Sequence, residues 1–322
     1  MTFAGSPDRV EARLVPEAGY ELDTFSISGF PRRPSPALAR ALLRAAAAPA
    51  ACRAILRRRR PDVVLGAGGY VAGPMVLAAS TMRIPAALSE ADAHLGLANR
   101  LAAPFATRLY LAYPLGTRHR SKVEVVGRPI PKRSQAIPQA EAREIFELPQ
   151  EVPVLGVFGA LAGARALNDF VVETFGESGP ALLHVTGSRD YARVRARVRR
   201  PDYRVLPETD RFGAAIAATD LVLSRAGSTV WEIAAAGRPA ILVPYPFATN
   251  DHQARNAEHF ARAGGAIMMR ELELEHVPEL IRSLLDDPAR RGRMSEAMLA
   301  AARPHAAEEI AAGLIELAGR PV

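Results

Sequence analysis

Val154-Leu155-Gly156-Val157-Phe158-Gly159 is an apolar run that stops on a glycine. A run of this length ending in a turn residue reads as a buried strand, and the glycine as the turn into a helix. Further apolar runs are expected as strands at residues 62–66, 85–89, 108–112, 123–126, 182–186, 203–206, 220–224 and 239–244. Most are separated by segments of helical length and spacing. Strand–helix alternation of this kind predicts parallel sheets covered by helices, an α/β architecture.

The strand at Val154 follows a break. Gly127-Arg128-Pro129-Ile130-Pro131-Lys132-Arg133 is rich in Pro and Arg, and nothing in it continues a strand or helix pattern. The expected division is therefore one α/β domain over 1–127 and a second over 128–303. A terminal helix over 304–318 is expected to pack back on the first domain. The two halves open differently. The second opens with its strand and glycine turn, whereas the first opens with a strand over 1–4 and a helix over 8–18, with no matching strand-glycine unit before them.

The 322 residues carry a formal charge of +7, with 49% apolar, 23% charged and only 6% aromatic residues. Apolar content at that level supports a sizeable core, and the length suits two domains. The basic balance favours anionic partners. Cys52 is the one cysteine, so a disulfide framework and a thiolate metal cluster within the chain are excluded. It is expected to be a packed side chain in a reducing compartment. No apolar run reaches 18 residues and the start lacks a signal-peptide pattern, so a cytoplasmic protein is expected. The histidines form no HxxxH or HExxH spacing, and no metal site is expected.

Several strand ends carry residues suited to chemistry. Gly66-Ala67-Gly68-Gly69-Tyr70-Val71-Ala72-Gly73-Pro74 follows a strand and opens a helix, a context in which glycines let backbone amides approach a phosphate. A tight strand-to-helix turn is the plainer alternative. A second glycine loop, Gly159 to Arg165, has the same context and a weaker signal. Ser224-Arg225-Ala226-Gly227-Ser228-Thr229-Val230-Trp231-Glu232 is the most specific segment. Its amides and hydroxyls can hold a diphosphate, and Glu232 can accept bonds from ribose hydroxyls. Thr229 and Glu232 also fit a capping box serving only the helix end, and local sequence does not separate the two readings. Asp251, His252, Gln253 and Asn256 cluster at a helix start and suit sugar hydroxyls or an N-cap. Ser89-Glu90-Ala91-Asp92-Ala93-His94 offers two carboxylates and an imidazole for acid–base work or acceptor contact, with N-capping by Asp92 as the alternative. Arg40, Arg44, Arg53 and Arg57 to Arg60 flank Leu42, Leu43, Ile55 and Leu56. That pattern is either a basic amphipathic helix for anionic lipid or a solvated face. Nucleic acid is not favoured, because aromatics do not interleave with the charge.

Together these residues resemble the MurG family, whose fold is GT-B: two Rossmann-like, doubly wound domains facing across a cleft. The resemblance is carried by Pro61 to Gly66, Gly68 to Pro74, Glu90, Gly96-Leu97-Ala98-Asn99, Val126-Gly127, Gly159 with Gly163-Ala164-Arg165, Arg225 to Gly237 and Asp251 to Ala257, and it covers nearly the whole chain. It implies inverting transfer of N-acetylglucosamine from UDP to the 4-hydroxyl of a muramoyl sugar on a lipid pyrophosphate, in cell-wall synthesis. It implies a UDP-sugar donor domain over 128–303 and an acceptor and membrane-side domain over 1–127. Gly227, Ser228 and Thr229 would meet the sugar-phosphate part of the nucleotide, with Arg225 beside them. Glu232 would bind ribose, Gln253 the donor sugar, and Thr209 and Phe212 the uracil, and Asp92, two residues after Glu90, is a further donor-binding candidate. Gly68, Gly69, Tyr70 and Gly73 would face the acceptor pyrophosphate, and Glu90 is the catalytic candidate. No metal or cofactor is implied. The implied partners are a UDP-sugar, an undecaprenyl-pyrophosphate-linked acceptor, the anionic inner leaflet, and cell-wall and division proteins, with a peripheral position on the cytoplasmic face.

Three positions depart from the family pattern: Asp92 stands for an asparagine, Pro131 for a donor-binding arginine (with Arg128 nearby), and Leu161 for a serine. The resemblance also implies a strand and a histidine-bearing glycine loop ahead of the present start, and transfer is expected to require them. The alternatives are another GT-B lipid glycosyltransferase, a UDP-sugar epimerase, and a non-catalytic UDP-sugar-binding scaffold.

Overall fold

The computed structural model describes residues 1–27, 36–159 and 164–319. The chain forms two compact units, one of Met1–Val126 with the C-terminal segment from Glu308, the other of Gly127–Ala307.

The first unit runs β1 (Phe3–Gly5), α1 (Glu11–Glu17), β2 (Leu22–Thr24), α2 (Pro36–Arg59), β3 (Val64–Gly66), α3 (Gly69–Thr81), β4 (Ala86–Glu90), α4 (Leu97–Ala102), β5 (Arg108–Leu111) and β6 (Val123–Val125). Its strands fall in two parallel sheets, β1-β2 and β3-β4-β5-β6. Leu88, Leu109 and Leu111 of the larger sheet share a core with Val76 and Ala79 of α3 and with Cys52 and Leu56 of α2. Burial pushes the Cys52 thiol up to about 12, so it stays a neutral packed group.

The second unit runs α5 (Gln139–Ile145), β7 (Val154–Phe158), α6 (Arg165–Phe175), β8 (Ala181–Val185), α7 (Ser188–Arg195), β9 (Tyr203–Leu206), α8 (Phe212–Ala217), β10 (Leu221–Ser224), α9 (Thr229–Ala235), β11 (Ala240–Leu242), α10 (His252–Arg262), β12 (Ala266–Met268), α11 (Val277–Leu285) and α12 (Pro288–Ala301). All six strands are parallel, in the order β12-β11-β10-β7-β8-β9. Counted from β7, this is the doubly wound order that reverses between its first and fourth strands. β7 is buried at all five positions, as expected of a strand covered by helices on both faces.

Two ties fix β7 against β10, where the order reverses. At their starts the buried Arg143 reaches from α5 to Asp220 at 2.5 Å, and Asp220 also accepts the Val154 amide at 2.6 Å. At their ends the Ser224 hydroxyl donates to the Phe158 carbonyl at 2.9 Å.

The last helix, α13 (Ala306–Leu317), belongs mostly to the first unit. Ile310, Leu314 and Leu317, at helical spacing, meet Ala87, Tyr110 and Val126. Arg108 holds its far end through Glu316 at 2.8 Å. Gly313 is required there: a Cβ would fall 2.1 Å from the Tyr110 hydroxyl oxygen.

The strands expected at 154–158 and 203–206 have those limits in the structure. β2 and β12 were not anticipated. Each is three residues long, too short to show a period, and each is defined by its neighbour in the sheet.

Candidate functional site

In open sheets of this order, ligands bind outside the carboxyl ends of the strands where the order reverses. Here those ends are Phe158 and Ser224. The loop after Phe158 contains Gly159; residues 160–163, including Leu161 and Gly163, lie outside the described residues. The loop after Ser224 carries Gly227, Ser228 and Thr229, all half-buried. It is anchored from behind by the buried Asn256 of α10, whose amide donates to the Ala226 carbonyl at 3.1 Å.

Ser228 is the N-cap of α9 and no side-chain cap bond forms there. The capping box that the sequence allowed is not what occupies the Glu232 carboxylate. Glu232 is half-buried, and Ser134, on the segment that leads into the unit, is the polar side chain that favours its charged form most. Burial raises its pKa above the usual glutamate value. The Ser134 hydroxyl and the charges of Arg128 and Arg133 oppose the rise.

Gln253 is brought to the same loop. Its side-chain nitrogen lies 3.9 Å from where a Cβ on Gly227 would sit, and its oxygen accepts the Tyr245 amide at 2.8 Å. That bond fixes the amide's orientation, leaving its two N–H groups toward Gly227. Asn250 and Asp251, just before α10, both have positive φ (51° and 53°). His252 contacts the Thr249 carbonyl at 2.9 Å.

Arg225 is engaged by the protein itself. Its side chain is buried, donates to the Val243 and Pro244 carbonyls at 3.3 Å each, and forms an ion pair with Glu271. Its guanidinium also lies over the Tyr245 ring, 5.7 Å from the centroid. It ties the ends of β10 and β11 together.

Thr209 accepts the Arg211 amide at 3.1 Å and so shapes the turn into α8. Phe212 opens α8 and stands edge-on to Phe158, with ring centroids 5.2 Å apart, placing it at the end of β7. Behind these loops is a buried network that sequence reading missed. His184 of β8 bonds Tyr203 at 2.8 Å and Asn168 at 2.9 Å, and Asn168 donates to Asp190 at 3.1 Å. Burial drives His184 down to about 3, so the ring is neutral and serves as a strut between β8, β9, α6 and α7. A lone histidine on an otherwise apolar strand is the signal in the sequence.

In the first unit, Gly68 and Gly69 take positive φ (89° and 70°) at the start of α3, which glycine alone adopts without strain. A side chain at Gly69 would meet nothing within 4 Å, so the backbone there is open to approach. Tyr70 is 50% exposed, and Gly73 lies beside the Ala98 carbonyl.

Glu90 ends β4 with both carboxylate oxygens engaged. One accepts the Ala91 amide at 3.1 Å and the Asp92 amide at 3.4 Å; the other accepts the Gly96 amide at 2.9 Å and Asn99 Nδ2 at 3.0 Å. Four bonds from residues 91–99 make this carboxylate the organiser of its own loop. Asp92 is part of that ring of donors through its amide, and the helix that follows is capped by Gly96 rather than by Asp92.

The basic stretch of α2 is partly committed. Arg58 and Arg59 pair with Asp23 of β2, Arg59 also pairs with Glu21, and Arg53 donates to Thr81. The side chains of Arg40 and Leu42 lie outside the described residues. An apolar surface appears elsewhere: Leu97, Leu101 and Phe105 are 53%, 63% and 46% exposed, with Arg100 exposed among them. Their i, i+4, i+8 spacing is legible in the sequence. Among the described residues no cluster of His, Cys, Asp and Glu could hold a metal ion, and no helix is long and apolar enough to cross a membrane.

Comparison with known proteins follows the same division. Residues 2–111 match the glycosyltransferase family 28 N-terminal domain and residues 154–310 its C-terminal domain. A UDP-N-acetylglucosamine--N-acetylmuramyl-(pentapeptide) pyrophosphoryl-undecaprenol N-acetylglucosamine transferase of Acidithiobacillus ferrooxidans is 41% identical, over 99% of this chain and 90% of that protein. One of the same name from Halothermothrix orenii is 36% identical, over 95% of this chain and 88% of that protein. Among solved structures, MurG of Acinetobacter baumannii superposes with a TM-score of 0.78 at 24% identity, covering 98% of this chain and 90% of that one. A UDP-GlcNAc 2-epimerase of Neisseria meningitidis bound to UDP-GlcNAc reaches 0.64 at 13% identity, covering 97% and 90%. Likeness at that level establishes the GT-B fold, and the identity to the two transferases goes further: the chain is a glycosyltransferase of family 28 and belongs to the MurG family.

Proposed function

We propose that the chain transfers N-acetylglucosamine from UDP-N-acetylglucosamine, with inversion, to the 4-hydroxyl of lipid-pyrophosphate-linked N-acetylmuramoyl-pentapeptide, the step from lipid I to lipid II in peptidoglycan synthesis. The observation that carries this reading is the convergence of Gly227, Ser228, Thr229, Glu232 and Gln253 after β10 and β11, in a chain 36–41% identical to transferases of that name. Amides and hydroxyls of Gly227 to Thr229 hold the diphosphate. Glu232 accepts the ribose hydroxyls, Gln253 holds the sugar, and Thr209 with Phe212 borders the uracil. Charge developing on the departing UDP is met by fixed dipoles, and the reaction needs no metal.

In the first unit the open backbone at Gly68, Gly69 and Gly73, beside Tyr70, receives the acceptor pyrophosphate. Leu97, Leu101 and Phe105 with Arg100 rest on the anionic inner leaflet, a peripheral attachment that fits a lipid-linked acceptor.

The test is UDP release from UDP-N-acetylglucosamine by purified protein, with and without a short-chain lipid I analogue. Release that depends on the analogue, with formation of the disaccharide, is expected. Release or epimerisation in its absence points to the epimerase reading and overturns this one.

A further inference from the structure

β9 is the outermost strand of the second unit's sheet, with β8 between it and β7. The Leu182 amide donates to the Asp202 carbonyl at 2.9 Å and the Thr186 amide to the Leu206 carbonyl at 3.0 Å, so the main chain at these alternate positions faces β8. The residues between them turn their amides and carbonyls the other way. Those of Tyr203 and Val205 bond to no other described residue. A cleft of about 280 Å³ lies along this open edge. Its apolar lining comes from Ile145 and Phe146 at the end of α5 and from Leu206, all half-buried. Arg195, Arg200 and Arg204 line it too, against one acid, Glu147.

The three arginines are unequally committed. Arg200 is held by Asp202 at 2.7 Å and by the Pro180 carbonyl. Arg204 pairs with Glu147 through side chains that are 39% and 74% exposed. An exposed pair of that kind adds little, so another carboxylate can displace it. Arg195 is exposed and has no hydrogen-bond or ion-pair partner among the described residues. Around the cleft, segment 188–204 holds seven arginines and two aspartates, most of the chain's excess of positive charge.

We propose that this edge is a docking site for an acidic segment of a partner protein, which adds to the sheet as an extended strand beside β9. Main-chain bonds to Tyr203 and Val205 hold the segment. Its apolar side chains enter the cleft, and its carboxylates meet Arg195 and Arg204. Charge selects the occupant. A second copy's β9 would set the same arginines against one another, and like charge on an open edge is a device that keeps identical edges apart. Glu147 already shows a carboxylate on Arg204. The four residues of β9 span roughly 13 Å, enough for a short linear segment. The inference does not depend on the donor-site reading.

The experiment titrates the full chain into a fluorescein-labelled, end-capped Glu-Val-Glu-Val-Glu peptide and reads fluorescence anisotropy. The controls are its lysine counterpart and a fully N-methylated form, which keeps the charge and has no amide donors. Saturable binding of the acidic peptide is expected, with none of the lysine peptide. N-methylation and the double variant Arg195→Glu/Arg204→Glu are each expected to weaken it at least about tenfold. Arg195→Glu alone replaces an exposed, unpartnered side chain and is expected to weaken it about fivefold. UDP affinity should be the same in both variants as in the wild type. Absence of saturable binding to the wild type overturns the inference. So does equal binding of the N-methylated peptide, or undiminished binding in Arg195→Glu and the double variant. Sedimentation of the wild type with phosphatidylglycerol vesicles that the double variant loses and the peptide does not compete with would make the patch a lipid-facing surface, and overturns it as well.

Discussion

Glu90 and Glu232 both stand at the carboxyl end of a parallel strand or just past it, Glu90 as the last residue of β4 and Glu232 in the first turn of α9, yet they are used differently. Glu90 accepts four hydrogen bonds from residues 91–99 of its own loop. Glu232 is half-buried, and only Ser134 and the charges of Arg128 and Arg133 favour its ionised form. A carboxylate oxygen has room for about two good bonds. Glu90 is therefore saturated by the protein, while Glu232 keeps room for a ligand. Arg225 falls on the saturated side as well: two carbonyls, a carboxylate and an aromatic face take up its guanidinium.

Three variants can break or sharpen that division. Arg225→Ala should have the largest effect on stability, because it leaves Glu271 without its partner and removes the tie between β10 and β11. A loss of about 3 kcal/mol is expected, read as a drop in thermal or denaturant midpoint. A loss below about 1 kcal/mol would move Arg225 to the ligand side. Glu90→Ala comes next, at about 2 kcal/mol, since four donors lose one acceptor and part of that is recovered by water at a half-exposed loop. UDP affinity should not change with it.

Glu232→Gln has the smallest effect and the opposite sign. The folded-state pKa of Glu232 lies above its unfolded value, so the folded protein binds the proton more tightly. Native stability then falls as pH rises through that window, and removing the charge relieves the cost. The Gln variant without nucleotide should match the wild type at acid pH and exceed it at neutral pH, by up to about 1 kcal/mol. A Gln variant less stable at neutral pH would mean that Glu232 is a structural carboxylate like Glu90.

The same contrast explains what could be read from the sequence. The α/β alternation was legible because β7, β8 and β10 are buried on both faces and so appear as continuous apolar runs. β2 and β12 were not, because three residues carry no period and only the neighbouring strand defines them. The donor-side residues were legible as a cluster, since the loop after β10 packs its glycine and hydroxyls into a few positions. Their separation into ligand-facing and protein-facing groups was not. Glu90 and Arg225 are saturated by partners up to 46 residues away, and Ser134, which favours the Glu232 charge, stands nearly a hundred residues before it. Local pattern carries no trace of such contacts. The ion pairs of α2 were not legible for the same reason, because Asp23, which pairs with Arg58 and Arg59, lies more than thirty residues before them. Those arginines in turn hold the Asp23 carboxyl below the usual aspartate range.

The most direct measurement is calorimetric titration of UDP-N-acetylglucosamine into the wild type, Glu232→Ala and Glu90→Ala in the presence of a chelator. One saturable site is predicted in the wild type and in Glu90→Ala. In Glu232→Ala the affinity should fall about ten- to a hundredfold, the equivalent of losing a hydrogen bond to a charged group. No binding without metal, or equal affinity in wild type and Glu232→Ala, would contradict a donor site built on the loop after β10.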